Sequence, residues 1–226
     1  MARGQGGGRS PSDRSGAPLG SLVPAPRPMP PTAPATDLAR EALTALSPLT
    51  DTDWAAVAER LRVRRVPAGG FLLRQGNVCD YLGVLTQGAL RTYNVTYDGE
   101  EQTGWLTVAG MVSTEVLSFY SREPSLEFVE AVSDAELLWL SHADLDVLCR
   151  ARPAVERLAR RVAEHILTDL KGHLLSHLHD PAPARYARLL RVRPAFVEQI
   201  PLKHVASFLG VDPSTLSRIR ALGRLD

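Results

Sequence analysis

Leu202-Lys203-His204-Val205-Ala206-Ser207-Phe208-Leu209-Gly210-Val211-Asp212-Pro213-Ser214-Thr215-Leu216-Ser217-Arg218-Ile219-Arg220 decides how the rest of this sequence is read. It divides into two short helices around a tight turn. Val205, Leu209, Val211, Leu216 and Ile219 are spaced to bury one face of each helix against the other, and Ala206 is small enough for a close helix crossing. Gly210 stands where the chain must turn, at a position that favours positive φ. Asp212 fits the N-cap of the second helix, and Pro213 its first position, where no N–H is needed. These local signals agree on a helix-turn-helix, whose second helix fits the major groove of DNA. Ser214, Ser217 and Arg218 then share the face opposite Leu216 and Ile219, beside Thr215. Arg218 is the residue type for bidentate guanine contact, while Lys203, His204, Arg220 and Arg224 are better placed for phosphates.

Charge is distributed to match. The 226 residues carry a net charge of only +1, yet positions 183–226 hold eight Lys/Arg against three acids. Positions 1–36 are also basic, which leaves the middle of the chain acidic. A basic end on an acidic body suits nucleic-acid contact confined to that end. No apolar run is long enough to span a membrane, and no signal peptide is visible, so a cytoplasmic location is expected. The two cysteines, Cys79 and Cys149, suggest neither a disulfide scaffold nor a metal cluster and are expected as small buried thiols.

Working back from the motif, 181–226 forms a DNA-binding domain. Before it, 144–180 contains a helix of about seven turns with Val155, Leu158, Val162, Ile166, Leu170, Leu174 and Leu178 in one stripe. Such a stripe on a lone helix between domains predicts a dimer seam, although its mostly four-residue steps do not support a strict heptad coil. Positions 37–143 open with a helical lead (37–66), where Asp37 is expected to cap Leu38–Leu46 and Thr50-Asp51-Thr52-Asp53 resembles a capping box. Short apolar runs then recur between glycines, at Phe71–Leu73, Leu82–Leu85, Leu90–Tyr97, Gln102–Val108, Phe128–Val132 and Leu137–Leu140, with Asp98-Gly99 as a hairpin turn. Many short strands with regular turns predict an antiparallel roll. Positions 1–36, with 14 Gly plus Pro, are expected to be a disordered tail. The fold class is therefore α+β: an antiparallel β-roll of the jelly-roll type, a long dimerisation helix, and a helical helix-turn-helix domain.

The long helix also carries His165, Asp169, His173 and His177 at four-residue steps. His173 and His177 are the candidates for a metal or pH-responsive pair, against the plainer reading of a polar stripe beside the seam. No nucleophile–base set, metal triad or phosphate loop stands out, so a non-enzyme is expected.

This order of elements resembles the Crp/Fnr family of bacterial transcription regulators. The resemblance covers about residues 46–222 and is carried by Leu72-Leu73-Arg74-Gln75-Gly76-Asn77, Gln87-Gly88-Ala89-Leu90-Arg91, Asp98-Gly99-Glu100-Glu101-Gln102-Thr103, Glu130–Leu138 and Leu216-Ser217-Arg218-Ile219-Arg220. It implies a cyclic-nucleotide-binding type of roll, a homodimer, and double-stranded DNA as partner, with RNA polymerase as a further one. The family's pocket carries a Gly-Glu pair and, further on, an Arg followed by Ser or Thr for the cyclic phosphate. Here those positions are Thr114-Glu115 and Ser125-Leu126, so the glycine and the arginine are missing and Arg122 lies three residues early. Losing a charge-assisted bond costs about 1.5–3 kcal/mol, or one to two decades of affinity. Glu115 and Ser125 are left as the best ligand positions, and the effector is open. The family's iron–sulfur branch uses an N-terminal cysteine cluster that this sequence lacks, so no such cluster is expected; His142 or Cys79 could serve a haem only by analogy. The resemblance also implies a strand-built wing after the recognition helix, for which only a few residues remain. Backbone contacts are then expected from Arg185, Arg188, Lys203, His204 and Arg224, with modest affinity and strong salt dependence. A ligand-binding module acting on protein partners without DNA is the alternative reading.

Overall fold

The computed structural model describes residues 31–222. The helical lead comprises α1 (Ala33–Thr44) and α2 (Asp51–Ala58). α1 begins inside the stretch expected to be a tail. Pro34 occupies its first turn, and Asp37 lies within the helix rather than capping it. The rest of the tail lies outside the described residues. The capping box at α2 forms as read: Asp53 N donates to Thr50 Oγ1 at 3.1 Å, and that hydroxyl donates to the Asp53 carboxylate at 2.7 Å.

Eight strands follow, namely β1 (Arg62–Val66), β2 (Phe71–Leu73), β3 (Tyr81–Gln87), β4 (Ala89–Val95), β5 (Glu101–Val108), β6 (Val112–Ser113), β7 (Phe128–Ala131) and β8 (Ala135–Ser141). They form two four-stranded antiparallel sheets, β1-β8-β3-β6 and β2-β7-β4-β5. β1 falls in the stretch read as helical lead. Its sequence Arg-Val-Arg-Arg-Val shows little apolar periodicity, and pairing with β8 holds it extended. The Asp98-Gly99 turn closes β4 onto β5, with Gly99 at φ 82°.

The strands read as continuous apolar runs because the sheets are covered on both faces. Inside the roll, Leu72, Leu85, Leu90, Phe119, Val129 and Leu137 form one core with Cys79. The outer face of the first sheet, at Val84, Leu138 and Leu140, is covered by α1, α2 and Val155. The outer face of the second sheet, at Ala89, Leu106 and Val108, is covered by the C-terminal helices through Phe196, Val205, Phe208 and Leu209. Cys79 is fully buried, which raises its thiol pKa. Cys149 is half-buried.

After α3 (Val116–Ser121), which the sequence reading missed, come α4 (His142–Ala151) and the 27-residue α5 (Pro153–His179). The apolar stripe of α5 divides. Val155, Leu158 and Val162 are buried against the chain's own roll and lead. Full burial of each stabilises the roll–helix joint by about 1.5–3 kcal/mol. Leu170, Leu174 and Leu178, with Leu167 and Leu175, remain exposed on the C-terminal half. Only the second half of the stripe is therefore free to meet another surface. The chain ends in α6 (Ala182–Val192), α7 (Pro194–Gln199), α8 (Leu202–Phe208) and α9 (Pro213–Leu222).

Candidate nucleic-acid interface and ligand cavity

α8 and α9 meet at a turn in which Gly210 adopts φ 66° and Leu216 is fully buried. Asp212 organises the start of α9. Its carboxylate accepts from Thr215 N at 2.9 Å and from the hydroxyls of Ser214 (2.6 Å) and Thr215 (2.7 Å). The Ser214 and Thr215 hydrogen bonds hold that carboxyl well below the usual carboxylate range. Arg218 in turn donates to Thr215 Oγ1 at 3.0 Å. Ser214, Ser217 and Arg218 are exposed, and Thr215 and Arg220 are half-exposed. The capping network thus fixes the Arg218 side chain on the open face of α9.

The partner helix α8 is turned toward the roll. Lys203 is exposed, but His204 is half-buried with its Nδ1 3.2 Å from an Arg91 nitrogen. A guanidinium only donates, so Nδ1 accepts and the imidazole is neutral. Burial, then Arg91 and Lys203, push its pKa down to about 4, against an opposing influence of Glu101. Arg91 is itself buried and ion-paired with Glu101 at 2.6 Å and Glu130 at 2.5 Å. Ser207 completes the contact: its hydroxyl accepts from Thr103 N at 2.9 Å and donates to Glu101 O at 3.3 Å. It thereby satisfies backbone groups on β5, the edge strand of its sheet. In this arrangement His204, expected at DNA phosphates, faces the sensor roll.

A further expected phosphate contact, Arg185, is engaged within the chain. Arg185 donates to Leu209 O at 2.9 Å and Asp180 O at 2.7 Å, tying the ends of α5 and α8 together. Arg188 is exposed, and Arg224 lies outside the described residues. The histidine row packs against the C-terminal helices. His173 stacks on Phe208 at 4.2 Å and meets Trp105 edge-on at 5.9 Å. His177 lies 4.2 Å from His173, ring to ring, and its Nδ1 is 3.2 Å from the His173 carbonyl. Burial, together with His177, Arg188 and Arg185, pushes His173 down to about 4. Among the described residues, no group of three or more His, Cys, Asp or Glu is placed to hold a metal ion.

A cavity of about 400 Å³ opens between the roll and α5. Thr92, Trp105 and Thr107 come from the strands, Met111 from the loop after β5, and Ile166 and Leu170 from α5. Glu115 and Glu127 also line it, but Ser125 does not. The two residues expected at the ligand are occupied locally. Both carboxylate oxygens of Glu115 cap α3, accepting from Leu117 N at 2.9 Å and Ser118 N at 3.0 Å. The Ser125 hydroxyl accepts from Glu127 N at 3.0 Å and donates to Glu127 O at 3.1 Å. Arg122 is paired with Asp80 and the Cys79 carbonyl, each at 2.8 Å. The one arginine on the cavity wall, Arg193, is ion-paired with Asp169. Among the described residues of this wall, no free cation is available to a cyclic phosphate, so these residues do not fit that group. Sequence reading missed Glu127, because its place beside the cavity depends on β7 pairing with β4.

These features define a class: a β-roll joined by one long helix to a helix-turn-helix. The cyclic nucleotide-binding domain family matches residues 63–152. The chain is 28% identical over 170 residues to the transcriptional activator protein Anr of Pseudomonas protegens, covering 70% of this chain and 68% of that one. Its fold is similar to that of FixK2 from Bradyrhizobium japonicum (18% identity, TM-score 0.63, 72% and 83% of the two chains). It is also similar to that of CLP from Xanthomonas campestris (15% identity, TM-score 0.59, 78% and 93%). By its cyclic nucleotide-binding domain match and its likeness to Anr, the chain is similar to regulators of the Crp/Fnr type. Among the described residues, no helix is long and apolar enough to cross a membrane.

Proposed function

We propose that this chain is a sequence-specific, DNA-binding transcription regulator that works as a homodimer in the cytoplasm and is not an enzyme. The observation that carries the reading is α9: exposed, capped at its start, with Ser214, Ser217 and Arg218 on its open face. Arg218 reads a base edge, with Ser214, Thr215 and Ser217 beside it. Lys203 and Arg220 contact phosphates, joined by His204 once α8 leaves the roll. The exposed leucines of α5 support the dimer, because an unpartnered apolar row of this length is otherwise costly in water. Two α9 helices about 34 Å apart would read half-sites one helical turn apart. Activation would bring RNA polymerase as a further partner.

The roll is the sensor, and β5 couples it to the DNA-binding domain. Trp105 and Thr107 line the cavity, while Glu101 and Thr103 on the same strand hold Ser207 of α8. A ligand that shifts β5 would alter the docking of α8, which is how effector state would reach α9. Fluorescence anisotropy against genomic fragments tests the reading, for the wild type and Arg218→Ala at low and physiological salt. We expect modest binding that weakens with salt and at least a tenfold loss in the variant, since a bidentate base contact is worth about 1–3 kcal/mol. Unchanged binding by Arg218→Ala would refute the base-reading role.

A further inference from the structure

The cavity between the roll and α5 has a chemistry of its own. Its walls are largely apolar, with Trp105, Met111, Ile166 and Leu170 facing a partly open volume of about 400 Å³. That volume suits a small organic molecule rather than a few waters. Against this background lies the carboxyl of Glu127. It makes no hydrogen bond or ion pair within the described residues, and one of its oxygens sits where a Cβ on Gly104 would come within 3.2 Å. Gly104 is the extra residue at the bulge between β4 and β5, and its lack of a side chain leaves room for that oxygen. The charged neighbour that bears on Glu127 is a second acid, Glu115, whose own oxygens are committed to α3. Burial beside that acid pushes Glu127 up to about 7. The remaining acid of the wall, Asp169, is already paired with Arg193. His165 is the other titratable group there, 3.5 Å from Asp169.

We infer that this cavity binds an organic ammonium with an apolar or aromatic body, its cationic head paired with Glu127 and its body against Trp105 and Leu170. An anionic ligand would bring charge beside an unpaired carboxylate in a poorly solvated space, where no free cation compensates it. A cation supplies the partner that Glu127 lacks, and an arylalkyl body fills the apolar remainder. The inference rests only on the sensing half of the proposed function.

The test uses three molecules with one body and different heads: tryptamine (ammonium), tryptophol (neutral) and indole-3-acetate (carboxylate), with cyclic AMP as a fourth probe. Calorimetric titration of the full chain at pH 7.5 without DNA keeps failure of sensing separate from failure of DNA binding. We expect tryptamine to bind at least tenfold more tightly than tryptophol, and indole-3-acetate and cyclic AMP not to bind. Glu127→Gln should weaken tryptamine by about 10- to 100-fold and abolish the preference over tryptophol. Glu127→Asp should retain the preference. Thermal unfolding of each variant verifies that it is folded. Absence of tryptamine binding, equal binding of the three heads, binding of cyclic AMP in their place, or insensitivity to Glu127→Gln would each overturn the inference.

Discussion

Two half-buried histidines predict that acid loosens the contact between the C-terminal helices and the rest of the chain. His173 is enclosed by Phe208, Trp105 and His177, with Arg185 and Arg188 nearby. His204 is enclosed beside Arg91, Lys203 and Glu101. Each is pushed down to about 4, against about 6.5 in an unfolded chain. A depressed histidine favours the neutral form in the fold, so its stabilising share is full above pH 6.5. It is lost as pH falls from there toward 4, because the unfolded chain takes up the proton first. At pH 5 the full loss would be about 2 kcal/mol per ring by linkage. Both rings are partly reached by water, which screens the penalty, so about 1 kcal/mol each is expected. The perturbation is His173→Gln with His204→Gln, which removes both titrations and keeps polar side chains. Urea unfolding followed by tryptophan fluorescence, at fixed protein concentration and at pH 8 and pH 5, reads the outcome. The wild type should lose about 2 kcal/mol more than the double variant over this interval, equivalent to about 4–8 °C in Tm. Other titrating groups are common to both proteins and cancel. An equal pH dependence in the two would refute the argument that these rings are held neutral by the docked arrangement.

Three further outcomes follow from the same structure. Glu127→Gln should stabilise the ligand-free protein by about 1–3 kcal/mol at pH 8 and by less than half as much at pH 5.5, because a carboxyl raised to about 7 is a partly buried charge at the higher pH, while at the lower pH it is neutral in the fold and still ionised in the unfolded chain; thermal unfolding at the two values checks it. Leu174→Glu, on the exposed half of α5, should give a monomer by sedimentation velocity, whereas a dimer of unchanged affinity would remove α5 from the interface. Arg91→Ala removes the cation shared by Glu101, Glu130 and His204 and should release α8 from β5, seen as faster amide exchange at Thr103, whose N–H is bonded to Ser207; unchanged protection would show that the apolar contacts alone hold the domain.

Local chemistry made much of this protein legible. Asp212-Pro213 after Gly210 gave the turn and start of α9 because a cap, a fixed φ and a positive-φ residue act within a few positions of one another. Thr50 and Asp53 gave the start of α2 for the same reason. The length of α5 followed from its stripe and from prolines at both ends. β1 was not legible, because its arginines hide an alternation that only β8 enforces. α3 was hidden as well: its start depends on Glu115 turning back to cap it, and that same use withdraws Glu115 from the ligand position that sequence spacing assigns.

The sequence by itself determined the resemblance to Crp/Fnr-type regulators, the order of β-roll, long helix and helix-turn-helix, and the polar face of α9, because periodicity and capping are short-range properties. Only the tertiary structure decided which half of the α5 stripe is spent on the roll, that α8 rests on β5 through Arg91, His204 and Ser207, and that Glu127 rather than Ser125 lines the cavity. Those outcomes depend on which faces of distant elements meet, and on which polar groups burial leaves without a partner.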